Sequence, residues 1–212
     1  CKNYEVDGFW FDILQAYPNY SESNKSLMKQ DGVDLNNDKK VLDYSINQMK
    51  SFMERCNKLV HSNKPNIPIY YNGITNIKRA NNLRYNLFDF NTKQDLEDLP
   101  TTWDGYDIFP FRSKFFAADG KQIVAMSGKF HSSWGEFGGF KHKDALLYEA
   151  ASMVAFGANV NIGDQLHPSG KMDLETYRNI GHAFDYVEKI EEYGVGGKHI
   201  SNIGYYYPFN VR

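Results

Sequence analysis

The sequence predicts an α/β protein built on parallel strands, and three observations carry that prediction. Short apolar runs alternate with amphipathic helical stretches, an order that requires crossover connections between parallel neighbours. The first of these runs is almost continuously apolar, as in a sheet covered on both faces. Polar residues gather at the C-terminal ends of the runs, where parallel α/β folds build their sites. Five such runs fit either half of a (β/α)8 barrel or a small doubly wound sheet.

Residues 5–13, EVDGFWFDI, open the chain with a strand in which Val6, Gly8, Phe9, Trp10, Phe11 and Ile13 are apolar or small. A strand of that kind needs neighbours on both sides. The chain therefore reads as a piece of something longer; a lipidated Cys1 is the alternative. Residues 15–37 read as a long loop with a short helix. Asn37 or Asp38 can cap a helix running to about Ser62, with Leu42, Ile46, Met49, Phe52, Met53, Cys56, Leu59 and Val60 on its apolar face. Residues 67–73 (IPIYYNG) form a second strand and residues 87–90 a short third one. Residues 106–118 are helical and aromatic. Residues 122–130 give a fourth strand, 144–156 a buried helix, and 158–164 a fifth strand. Asp173 can cap a last helix through Glu192, stopped by Gly194, with Tyr177, Ile180, Phe184, Val187 and Ile190 or Glu191 as its stripe. The Tyr-rich tail, residues 200–211, reads as a strand that begins something new.

Composition narrows the function. The 212 residues suffice for one sizeable core or two small ones. With 24 Lys+Arg against 26 Asp+Glu, the net charge of -2 gives no nucleic-acid footprint. No apolar run reaches the ~18 residues of a membrane span. No basic segment followed by an apolar stretch marks a signal peptide, and the compartment is left open. Cys1 and Cys56 cannot form a disulfide scaffold. At 42% hydrophobic and 16% aromatic residues, the composition is that of a folded, soluble chain. No GxGxxG or GxxxxGK[ST] sits at a strand–helix turn; GEFGG at 135–139 lacks the terminal Lys-Ser/Thr. No GxSxG elbow occurs. His131, His142 and His167 show neither HxH nor HExxH spacing, so neither a metal nor another cofactor is expected.

The strand ends supply the candidate chemistry. Asp12 ends the first strand and Asn72 the second. Asn91, Asp95, Glu97 and Asp98 follow the third; Lys129 and His131 end the fourth; Asp164, Gln165 and His167 end the fifth. Asp12 lies inside WFDI, where burial would make ionisation costly. It reads either as a loop cap or, beside Trp10, as part of a sugar site in which rings stack on aromatics and hydroxyls meet carboxylates. Glycoside hydrolysis requires two carboxyl groups. Glu97, Glu136 and Asp164 are candidates for the second, each also readable as a solvated loop acid.

Five segments carry a family likeness: DGFWFDI (7–13), YYNG (70–73), LEDLPTTWDGYDIFP (96–110), MSGKFHSSWGEFGGFK (126–141) and NIGDQLHPSGKMD (161–173). In this order they resemble the C-terminal half of the catalytic barrel of α-L-fucosidase-like glycoside hydrolases, in particular bacterial members whose barrel precedes a β-galactosidase-type trimerisation domain. The likeness implies that the five strands are strands four to eight of a TIM barrel. Residues 1–195 would then be the end of the catalytic domain and 196–212 the start of the next. It implies a retaining exo-glycosidase with Asp12, in the WFD motif, as nucleophile. It implies Glu97 as acid/base with Glu136 in reserve, and Trp10, Asn72, Trp103, Lys129, His131, Trp134, Asp164 and His167 around the sugar. A glycoside is the implied partner, with neither nucleic acid nor membrane, and self-association into a homo-oligomer is compatible with it. Barrel strands one to three have no counterpart in the sequence. That favours the competing reading of a non-catalytic carbohydrate-binding relative or inactive fragment, and β-galactosidase-type specificity is the nearest alternative activity. A deacetylase-like barrel would need clustered metal ligands, which the sequence lacks.

Overall fold

The computed structural model describes residues 3–136, 138–194 and 197–207. The chain folds as two compact units, Cys1–Thr92 and Lys93–Arg212. Its strands are all parallel and form a two-stranded and a three-stranded sheet, without a closed barrel among the described residues. No helix among them is long and apolar enough to cross a membrane.

The first unit contains β1 (Phe9–Phe11), α1 (Glu22–Gln30), α2 (Asp38–Asn63), β2 (Ile69–Tyr71) and α3 (Ala80–Arg84). β1 lies parallel to β2, with Phe9, Trp10 and Phe11 opposite Ile69, Tyr70 and Tyr71. Asn37 caps α2 by accepting from the Lys40 amide at 3.1 Å. One stripe of α2, Ile46, Met53 and Val60, packs with Ile69, Tyr71, Ile74 and Leu87. Leu42, Met49 and Cys56 flank it half-buried. Phe52 and Leu59 stand one residue before members of that stripe, rotate off it, and are exposed, whereas Val41 is fully buried.

Two expectations are corrected here. β1 is not buried on both faces. Phe9 and Phe11 pack half-buried on the α2 side, while Trp10 is 40% exposed and Ile13 80% exposed. Only the face of β1 that carries Phe9 and Phe11 packs into the α2 core. Residues 87–90 are not a strand either: they form a 3-10 turn entered through Asn86 in the left-handed region (φ 49°). The strand begins seven residues later, as β3 (Gln94–Glu97). Its sequence, QDLE, has no strand-like pattern, and tertiary burial overrides propensity. Beside β2, side chains replace ladder bonds: the Ile69 amide donates to Thr92 Oγ1 and the Tyr71 amide to Asn91 Oδ1, each at 2.8 Å.

The second unit runs β3, α4 (Ile108–Phe116), β4 (Ile123–Gly128), α5 (Lys143–Ala155), β5 (Asn159–Gly163) and α6 (Leu174–Gly194). The sheet order is β3-β4-β5; Glu97 is paired with Met126 and Gly128 with Gly163. Helices α5 and α6 bury Leu146, Ala150, Val154, Ala183 and Val187 together, with Val160 and Ile162 of β5 packed against them. The Asp173 carboxylate accepts from the Glu175 amide at the start of α6. The buried stripe of α6 includes Thr176 and Ala183, while Tyr177 is turned outward. Gly194 is required at its end, since a Cβ there would lie 2.2 Å from the Val154 carbonyl oxygen. Residues 200–207 form no strand; residues 208–211, and the expected domain boundary at 195–196, lie outside the described residues.

Candidate active site

At the C-terminal end of β1, Asp12 is exposed, not buried as its place inside WFDI suggests. Its Oδ1 accepts two hydrogen bonds, from the Ile13 amide at 2.9 Å and from Asn72 Nδ2 at 2.8 Å. Oδ2 has no bond among the described residues. The Ile13 bond closes on the carboxylate because Ile13 adopts φ 51°, a region that costs a β-branched residue about 1–3 kcal/mol. Such strain persists only where the surroundings enforce it. Here backbone bonds continue past the strand ends, Asn72 N to Phe11 O at 2.8 Å and Leu14 N to Asn72 O at 2.9 Å.

The Asn72 side chain is itself oriented. The buried Tyr70 hydroxyl lies 3.4 Å from Asn72 Oδ1, as donor, and 3.1 Å from Thr75 Oγ1. This leaves the amide Nδ2 directed at Asp12. Trp10 packs on the Tyr70 ring at 4.5 Å with a 54° tilt and is 40% exposed. The sequence named Trp10, Asp12 and Asn72; Tyr70 and Thr75, which set the amide's orientation, carried no signal beyond YYNG.

In the second unit Glu97 is the last residue of β3, not a residue beyond it, and is half-buried. Arg112 of α4 donates to its carbonyl oxygen at 2.7 Å. Trp103 is half-buried, its amide bonded to the Leu99 carbonyl. Lys129 is buried, with Nζ donating to Gly139 O at 3.3 Å and lying 5.1 and 5.2 Å from the Phe130 and Phe140 ring centres. The His131 side chain is exposed and its carbonyl accepts from Thr101 Oγ1. His167 is exposed and bound locally to Ser169.

Trp134 lies over the tips of β4 and β5. A Cβ on Gly163 would come within 2.4 Å of its ring, and one on Gly128 within 3.0 Å. Only glycines let the indole lie there. Its Nε1 is buried with no hydrogen-bond partner among the described residues, and so are both carboxylate oxygens of Asp164. Glu136 is different: it accepts from the Ser132 amide at 2.6 Å, and that bond holds its carboxyl below the usual range.

Of the buried polar groups in this unit, the sequence named only Asp95 and Asp98, as polar residues following the third strand, and Lys129, at the end of the fourth. Lys141, 1% exposed, pairs with Glu149 at 2.8 Å and with Ser127 Oγ at 3.0 Å; Ser127 also donates to Glu149. The Tyr106 hydroxyl reaches Glu149 at 3.4 Å. Burial raises Asp95 and Asp98 to about 7. Nothing in the spacing of Tyr106, Ser127, Lys141 and Glu149 marks them, because the fold alone brings them together. No group of three or more His, Cys, Asp or Glu among the described residues could hold a metal ion.

Among solved structures, α-L-fucosidase isoenzyme 2 from Paenibacillus thiaminolyticus is similar to this chain, with 36% identity and a TM-score of 0.86. The similarity covers 94% of this chain and 30% of that one, so the chain spans about a third of the neighbour's length. No family model and no curated protein matches.

Proposed function

From a chain that is α-L-fucosidase-like along nearly its whole length, we propose a retaining exo-glycoside hydrolase acting on terminal α-L-fucose, its five strands being strands four to eight of a (β/α)8 barrel. The observation that carries this reading is the state of Asp12. One carboxylate oxygen is tethered by two N–H donors, while the other makes no bond among the described residues. That is what a nucleophile needs: a fixed orientation and a lone pair left for the reacting carbon.

Asp12 Oδ2 attacks the anomeric carbon, the glycosidic C–O bond breaks, and Glu97 gives its proton to the leaving oxygen. Glu97 then takes a proton from water, whose oxygen displaces Asp12 and restores the starting configuration. Glu97 is preferred to Glu136 because an acid at neutral pH needs a raised pKa, and the Ser132 amide drives Glu136 the other way. Trp10 and Trp134 offer ring faces to the sugar. Asn72, Trp103, Lys129, His131, Asp164 and His167 offer polar contacts.

Hydrolysis of a panel of aryl glycosides by the protein at its full natural length tests this reading. The expected result is release of fucose, with Asp12→Ala inactive and azide yielding a glycosyl azide of inverted anomeric configuration from that variant. Release of galactose instead would move the specificity to β-galactosides. Fucose binding without turnover would replace the reading with that of a carbohydrate-binding relative.

A further inference from the structure

The loop between β4 and α5 is closed at its mouth and tied again inside. The Lys141 amide donates to the Lys129 carbonyl at 2.8 Å, so the chain leaves the sheet and returns across one hydrogen bond. Lys129 Nζ reaches Gly139 O at 3.3 Å across the same mouth. Within the loop, the Glu136 amide donates to the Ser133 carbonyl at 3.2 Å, and Gly135 adopts φ 83°. Residues 133–136 are therefore a turn of the kind that needs a positive φ at its third residue, and Trp134 is its second.

The Glu136 side chain ties that turn a second time. Its Oε2 accepts from the Ser132 amide at 2.6 Å, so one residue holds both residues that precede Trp134, one through its backbone and one through its carboxylate. The carboxyl lies against Gly139, where a Cβ would come 2.6 Å from its Cδ and Oε1. The Ser132 bond and, to a lesser degree, His131 favour the charged form, which makes Glu136 a poor proton donor at neutral pH.

The turn carries the indole, and no polar bond fixes the ring. Trp134 Nε1 has no hydrogen-bond partner among the described residues. The ring lies over Gly163 and Gly128, where Cβ atoms would come within 2.4 and 3.0 Å of it, and meets Phe130 edge-on at 5.3 Å between centres. A side chain held by contacts alone lies where its backbone carries it, and those contacts weaken steeply with small displacements.

We propose that Glu136 is a positioning residue for Trp134: its carboxylate, bonded to the Ser132 amide, locks the turn that carries the indole and so keeps the ring on Gly128 and Gly163. The inference rests on the place given to Trp134 in the sugar pocket. It gives Glu136, the second candidate for the acid/base, a different task, that of setting sugar affinity without touching the reacting atoms.

The protein at its full natural length, labelled with 5-fluorotryptophan, tests this in two steps, the first without substrate. The Trp134 fluorine resonance is identified by its loss in Trp134→Phe. Glu136→Ala should shift that resonance. Glu136→Gln, which keeps an oxygen for the Ser132 amide, should return it toward the parent position. Gly139→Ala, whose methyl displaces the carboxyl while Glu136 stays in the chain, should shift it as Glu136→Ala does. The second step is hydrolysis of an aryl α-L-fucoside. Glu136→Ala should raise KM about 3- to 10-fold, the factor supplied by one aromatic contact. kcat should stay within about twofold, because uniform binding is what is lost. Glu136→Ala added to Trp134→Ala should cost no more than Trp134→Ala alone. A Trp134 resonance unmoved by Glu136→Ala, even with a lowered Tm, overturns the proposal, and so does full additivity of the two substitutions. Loss of turnover on fucosides with poor leaving groups but not on those with good ones overturns it as well, since Glu136 would then be the acid/base. Failure of the parent to release fucose would remove the fucosidase reading alone, because the resonance shifts are judged without it.

Discussion

Replacing Asn72 with alanine isolates the orientation of Asp12 from the rest of the fold. The substitution removes the 2.8 Å bond from Nδ2 to Asp12 Oδ1 and leaves the Ile13 bond as the single tether. The backbone bonds of Asn72 to Phe11 and Leu14 do not involve the side chain and persist. A hydrogen bond to a charged group contributes about 1.5–3 kcal/mol. Because Asp12 is exposed, water takes over part of the bond and the lower end applies, about 1.5–2 kcal/mol. At about 1.36 kcal/mol per tenfold, kcat should fall roughly 10- to 30-fold. KM should move little, because the loss is in alignment of the attacking oxygen rather than in sugar contacts. The assay is steady-state hydrolysis of an aryl α-L-fucoside, with a thermal melt to show that Asn72→Ala is folded. A fall in kcat of less than about threefold in a folded variant would refute the role given to Asn72 and weaken that given to Asp12.

Other perturbations give equally definite outcomes. Gly163→Ala would put a methyl 2.4 Å from the Trp134 ring; the indole must move, which should change the near-UV circular dichroism and cost about 1–3 kcal/mol of stability by denaturant titration. Lys141→Met strands the buried Glu149 carboxylate, so a loss of about 3–5 kcal/mol is expected, and pairing it with Glu149→Leu should restore most of that loss. Asp95 and Asp98 are raised by burial to about 7, above their unfolded values. The native state therefore binds more protons between about pH 4 and pH 7, and stability should decline as pH rises through that window and level off above it. Asp98→Asn should flatten the decline in Tm; an identical slope would exclude Asp98 as its source.

The helices were largely legible because their signals are local. The 3.6-residue period and the Asn37 and Asp173 caps place α2 and α6 to within a residue or two. The stripe of α2 was read almost correctly, but its phase depends on what it packs against, so Phe52 and Leu59 were assigned inward and Val41 was overlooked. The strands were harder. Leu87–Phe90 is apolar yet folds as a 3-10 turn whose Leu87 joins the α2 core, whereas QDLE, polar on paper, is the strand. For the candidate site, the strand-end rule and the family motifs pointed to Asp12, Asn72, Glu97, Trp134 and Asp164. They did not point to Arg112, whose partner, the Glu97 carbonyl, lies 15 residues back along the chain.

The sequence by itself determined the alternation of parallel strands and helices, the helix caps, and the motifs that tie the chain to α-L-fucosidases, because each of these is encoded within a dozen or so contiguous residues. Only the tertiary structure decided that Asp12 is exposed and tethered rather than buried, that Trp134 rests on two glycines, and that Arg112 holds the Glu97 carbonyl. Those properties are set by dielectric and by close approach between residues distant in sequence, and neither exists until the chain is packed.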